Sequence, residues 1–121
     1  MNDIKTQQFT AFDPSVALEQ VDGDTELLEE IIQIFMTDHP KTMELISQAL
    51  KEKNAQNLEH YAHSLKGSAG NFGASATVAA AFKLETIGRS GNLELAEGTF
   101  DVLQKEVSKL ERELTEYKKA L

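Results

Sequence analysis

LELAEGTFDVLQKEVSKLERELTEYKKAL, residues 93–121, is the most regular stretch of the chain. Leu93, Ala96, Phe100, Leu103, Val107, Leu110, Leu114, Tyr117 and Leu121 recur at alternating steps of three and four. That spacing keeps apolar side chains on one stripe of an α-helix. It predicts a single helix of roughly 40 Å at ~1.5 Å per residue. Such a stripe fits the seam of a coiled-coil dimer or the core face of one helix in an antiparallel bundle. The remaining segments favour the bundle, because they too carry apolar faces that need a partner.

Upstream, Gly91-Asn92 reads as a turn, preceded by a helix from a Ser75 N-cap to about Ser90. Gly73 reads as the stop of the helix before it, which Asn54 can cap. Asp24 is an N-cap for a run in which Leu27, Leu28, Ile31, Ile34 and Phe35 recur at helical spacing. Asp38-His39-Pro40 is expected to break or kink that run, with Pro40 opening a helix lined by Met43, Ile46, Ala49 and Leu50. Lys51 and Lys53 suit the negative end of its dipole. Asp13-Pro14 pairs an N-cap with a Pro at the first helical position and opens a short helix that ends before Gly23. Residues 1–12 show little periodicity and read as a tail along the surface. The expectation is all-α: an antiparallel four-helix bundle with short additional N-terminal helices, one domain over residues 13–121.

Composition narrows the function. The 121 residues include 12 Lys and Arg against 20 Asp and Glu, a net charge of −8, and no cysteine. An acidic surface repels phosphate backbones and anionic lipid, so nucleic acid and membrane are poor partners. Lack of cysteine removes disulfides and thiolate zinc sites, and suits a reducing compartment. No apolar run approaches the ~20 residues that span a bilayer, and MNDIKTQQF lacks the pattern of a signal peptide. The chain reads as soluble and cytoplasmic, and its initial Met suits a free-standing protein.

Within the Asn54-capped helix, AHSLKGSAGNFGA (residues 62–74) carries two interior glycines beside a histidine. Each such glycine costs about 0.5–1 kcal/mol relative to Ala. At ~100° per residue, with Leu58 as zero, Leu58, Tyr61, Ala62, Leu65, Ala69 and Phe72 all lie within ~60° of zero. His63 falls near ~140°, Gly67 near ~180° and Gly70 near ~120°, on the solvent side. A merely solvated histidine would not need the glycines, since Ala, Glu or Lys serves an exposed face better. Gly67 and Gly70 clear space so that another macromolecule can reach the imidazole of His63. Lys66, near ~80°, lies beside His63 and can neutralise an anion at the ring. As an exposed lysine it should add little to folding stability.

Val78, Phe82, Glu85 and Arg89 share a face of the following helix. Glu85 at the margin of that face can reach across to Nδ1–H of His63, which would leave Nε2 unprotonated and outward, a nucleophile's arrangement. It can equally form a plain Glu85–Arg89 pair one turn apart, and spacing does not separate the two. Metal binding is a rival: His60 and His63 are three apart, with Glu59 as the nearest third candidate, but no second helix offers a His or Cys. A bundle that docks helices or partners without chemistry would leave the His63–Lys66–Gly67 geometry unused.

Ala62-His63-Ser64-Leu65-Lys66-Gly67-Ser68-Ala69, followed by Gly73-Ala74, resembles the signature of histidine-phosphotransfer (HPt) domains of two-component phosphorelays. The resemblance implies a four-helix bundle whose exposed histidine accepts a phosphoryl group on Nε2 from an aspartyl phosphate and passes it to another aspartate. His63 matches that acceptor, and Lys66 matches the lysine that stabilises the phosphate. Gly67 matches the small residue that lets a receiver domain dock. Glu85 stands where the family places a Gln or Glu that hydrogen-bonds the ring, and Arg89 resembles a basic residue found one turn on. The implied partners are receiver domains of a hybrid histidine kinase and of a response regulator. No ATP-binding motif is visible. The expectation is a monomeric phosphoryl carrier without kinase activity and without a cofactor of its own, Mg²⁺ being supplied by the receiver.

Overall fold

The first three helices start on side-chain caps. The structure, a computed structural model, describes residues 9–121. Asp13 accepts from Ser15 N–H ahead of α1 (Pro14–Gln20), Asp24 from Leu27 N–H ahead of α2 (Thr25–Lys51), and Asn54 from Asn57 N–H ahead of α3 (Ala55–Gly70). Each side chain satisfies one of the orphan donors of a helix start. α4 (Ser75–Ser90) and α5 (Ala96–Lys119) complete the fold. Gly23 (φ 80°) and Gly91 (φ 78°) supply the left-handed turns after α1 and α4.

The four long helices pack in a ring: α2 against α3, α3 against α4, α4 against α5, and α5 back against α2. Short connections make consecutive helices antiparallel. The expected all-α bundle is observed, with one short extra helix, α1, among the described residues. The heptad-like stripe is the reason the ring closes. Phe100, Leu103, Val107, Leu110, Leu114 and Tyr117 of α5 are all buried within the chain's own core, so the stripe is not a dimer seam. Leu93 lies before α5 and Leu121 beyond it, so the regular spacing outruns the helix at both ends.

Several boundaries differ from expectation. Pro40 neither ends nor starts a helix; α2 runs through it. A proline inside a helix costs about 3 kcal/mol through a lost hydrogen bond and a clash one turn back. Here its ring is exposed, and Phe35 and His39 before it share a buried face with Ile46 and Ala49 after it. Burying a large apolar side chain returns about 1.5–3 kcal/mol each, so the continuous face outweighs the local penalty. Ser75 is the first residue of α4 rather than its cap, and Ala74 precedes it with no side-chain cap. α3 ends at Gly70, so Phe72 is buried from the turn that follows, and Gly73 (φ 62°) shapes that turn.

The segment before α1 is not a surface tail over residues 9–12. Ala11 and Phe12 are buried. The N–H groups of Thr10 and Ala11 donate to the Glu113 carboxylate at 3.2 and 2.8 Å. Phe9 and Phe12 meet the Tyr117 ring edge-on, with centroids 5.7 and 5.3 Å away. Burial pushes the Tyr117 phenol above its ordinary pKa. The earlier part of the expected tail, 1–8, lies outside the described residues. On the opposite flank, buried His39 stacks on Phe35 and bonds Glu111 of α5 through Nε2 at 2.9 Å.

Candidate functional site

His63 sits on the solvent side of α3, with its side chain 66% exposed. Leu58, Ala62, Leu65 and Ala69 of the same helix are buried, as the helical angles require. A Cβ built on Gly67 or Gly70 would meet nothing within 4 Å. Both glycines therefore border open space beside the ring and are not needed for packing within the chain.

Glu85 does both things that spacing left open. Its Oε2 lies 2.9 Å from His63 Nδ1 and 3.1 Å from Arg89 Nη2. Its Oε1 lies 2.8 Å from Lys66 Nζ, as an ion pair. The Glu85 side chain is only 4% exposed. Lys66 holds the Glu85 carboxyl below its ordinary pKa first and burial opposes it; the His63 contact adds to the lowering. An ionised carboxylate only accepts hydrogen bonds, so Nδ1 must carry the proton that faces it. The neutral ring then keeps its lone pair on Nε2, away from Glu85 and toward solvent.

Lys66 departs from its expected description. Its side chain is 26% exposed, it has a buried partner in Glu85, and its ammonium stands 5.0 Å from the centre of the Phe82 ring. It thus contributes to the fold as well as to the charge beside His63. Arg89 also donates from Nε to Glu59 Oε2 at 2.9 Å, which joins α4 to α3 on the outer side. Those two carboxylates raise the Arg89 pKa, Glu59 more than Glu85. Gln56, Glu59, His60, His63, Glu85 and Arg89 line an open groove between α3 and α4. No group of three His, Cys, Asp or Glu side chains among the described residues is placed to hold a metal ion.

Sequence reasoning missed two residues. Phe82 was placed on the right face but given no task; it underlies the Lys66 ammonium. Gly88 was not singled out, yet α4 rests on the α3 backbone at that point. A glycine inside a helix and three residues after a candidate carboxylate was the available signal.

A helical bundle that presents one accessible histidine, its Nδ1 held by a buried carboxylate, has the arrangement of a protein suited to forming a bond at a surface imidazole. Residues 30–113 match the Hpt domain family. The chain is 32% identical over 100 residues to histidine-containing phosphotransfer protein 4 of Arabidopsis thaliana, covering 81% of this chain and 79% of that protein. It is 23% identical over 108 residues to the phosphorelay intermediate protein rdeA of Dictyostelium discoideum, covering 89% of this chain and 42% of that one. Its fold matches the crystal structure of histidine-containing phosphotransfer protein B from Pseudomonas aeruginosa with a TM-score of 0.87, at 22% identity, over 94% of this chain and 99% of that one. The chain belongs to the Hpt domain family.

Proposed function

We propose that this protein is a phosphoryl carrier of a His-Asp phosphorelay. In this reading His63 Nε2 takes a phosphoryl group from the aspartyl phosphate of one receiver domain and returns it to the aspartate of another. The observation that carries the reading is the 2.9 Å contact between Nδ1 of an exposed His63 and buried Glu85.

The chemistry follows from that contact. The Nε2 lone pair attacks phosphorus, the N–P bond forms, and the P–O bond to the receiver's aspartate breaks, with its electrons leaving on the carboxylate. No proton needs to move, because Nδ1–H stays on Glu85 throughout. The ring gains positive charge as the bond forms, and the Glu85 carboxylate already faces it. Lys66 lies within reach of the same carboxylate and can turn part of its charge toward the incoming phosphoryl oxygens. Phosphoryl transfer of this kind asks for positioning and charge neutralisation and little more. Gly67 and Gly70 leave room for the receiver's surface over the ring.

The carrier works as a monomer in the cytoplasm, without kinase activity and without a resident cofactor; Mg²⁺ belongs to the receiver's acidic pocket. Among the described residues no helix is long and apolar enough to cross a membrane. The test is incubation with phosphorylated receiver domains. Transfer of an acid-labile, alkali-stable phosphate to this chain is expected, and its absence with every receiver and with a small phosphodonor would refute the reading.

A further inference from the structure

We infer that Gly88 is a positioning residue for His63, acting through the separation of α3 and α4; the inference rests on the phosphotransfer reading for its functional consequence. A Cβ at Gly88 would stand 2.7 Å from Glu59 N, 2.9 Å from Ala55 O and 2.9 Å from Glu59 Cα. All three are α3 backbone atoms, which cannot swing aside as a side-chain tip can. The helical glycines Gly67, Gly70 and Gly98 contrast with it, since a Cβ on any of them meets nothing within 4 Å. Gly88 is thus the place where α4 lies directly on the α3 backbone.

The place matters because of its neighbours. Gly88 follows Glu85 by three residues, and Glu59, which it touches, precedes His63 by four. The contact is one turn from each partner of the His63–Glu85 bond. Beside it, Arg89 closes on Glu59 at 2.9 Å. Ordinary contact of a Cβ begins near 3.4 Å. An alanine at 88 therefore forces the helices apart by a few tenths of an ångström, and by about 0.7 Å if its Cβ is to reach ordinary contact from the 2.7 Å of the close approach. A displacement of that size along the 2.9 Å line between Nδ1 and Oε2 stretches that bond toward, and at its full extent past, hydrogen-bond reach. Glu85 is buried and its carboxylate is drawn on by Lys66 and Arg89, so it cannot simply follow the ring. Lys66, with its long stem, can. Gly88 costs α4 local helix stability, and the return is a carboxylate held within reach of one imidazole nitrogen.

The test is Gly88→Ala in the full chain with ¹⁵N-labelled histidine, read by NMR of the His63 ring at mildly alkaline pH. The wild type should show one neutral tautomer, protonated on Nδ1, and Gly88→Ala a mixture of two. Phosphorylation by phosphoramidate should slow about tenfold, since displacements of this order at a reacting group cost one to two decades. Gly98→Ala should change neither readout. Glu85→Asp withdraws the carboxylate by one methylene without touching the helix contact and should give the same mixed tautomers. A single wild-type tautomer in Gly88→Ala overturns the inference, as does a single tautomer in Glu85→Asp. The tautomer measurement needs no phosphodonor, so it decides the positioning even if the wild type accepts no phosphoryl group, an outcome that would sink the phosphotransfer reading instead.

Discussion

Removal of the Lys66 ammonium should destabilise the fold, by an amount that depends on pH. Glu85 is 4% exposed, and Oε1 has Lys66 Nζ at 2.8 Å as its charged partner, while Oε2 serves His63 and Arg89. Lys66→Ala leaves Oε1 buried without its cationic partner, while Oε2 keeps His63 and Arg89. Leaving a buried polar group without its partner costs about 1–3 kcal/mol. Lys66 is a quarter exposed and solvent screens part of the pairing, so the expected loss is about 1–2 kcal/mol near neutral pH. For a chain of this length that lowers Tm by about 3–10 °C. The pH dependence has a definite sign. Lys66 is the first cause that holds the folded Glu85 pKa below its ordinary value of 4.5. Such a group stabilises the fold above 4.5, and the contribution is lost as pH falls through the lowered folded value. In Lys66→Ala that contribution is missing from the start, so the gap between variant and wild type should be full at pH 7 and close in acid. Thermal melts of both proteins from neutral pH to about pH 3 measure it. Equal Tm values at pH 7, or a gap that stays constant into acid, would refute the reasoning.

Pro40→Ala should raise stability by up to about 3 kcal/mol, because the ring is exposed and the helix is continuous through it; a denaturant titration showing no gain would mean that the helix has already relaxed around the proline. Gly67→Glu should raise helicity and block transfer from a receiver while sparing reaction with phosphoramidate, since the space beside Gly67 is open; equal loss with both donors contradicts a docking role. Gly73→Ala should lower stability by about 2 kcal/mol or more, because φ is +62° and its Cβ would meet the Cβ atoms of Asp13 and Val16 at 2.9 Å; an unchanged melt excludes that strain.

Much of this was legible in the residues themselves. Asp13, Asp24 and Asn54 announce helix starts because capping is local chemistry, and each makes the expected bond. The α5 stripe and the outward angle of His63 follow from helical periodicity alone, which tertiary packing did not disturb. Pro40 misled because its penalty is local while the return comes from packing on both sides of it. Phe9, Ala11 and Phe12 are too few to show a period, so their packing against α5 could not be read. Glu85 was caught between two roles because reach across helices depends on their separation, which the backbone contact at Gly88 sets. Lys66 looked exposed since its partner lies on another helix, 19 residues away in sequence but 2.8 Å in space.

The central claim is that His63 Nε2 carries the phosphoryl group. The most direct measurement is labelling of wild type and His63→Gln by one phosphorylated receiver, with the phosphorylated residue located in the product. The account predicts acid-labile, alkali-stable label on His63 of the wild type, and none on a His63→Gln variant that keeps its helical spectrum, with His39 and His60 unlabelled in both. Label that persists in His63→Gln, or that maps to His39 or His60 in the wild type, would contradict it.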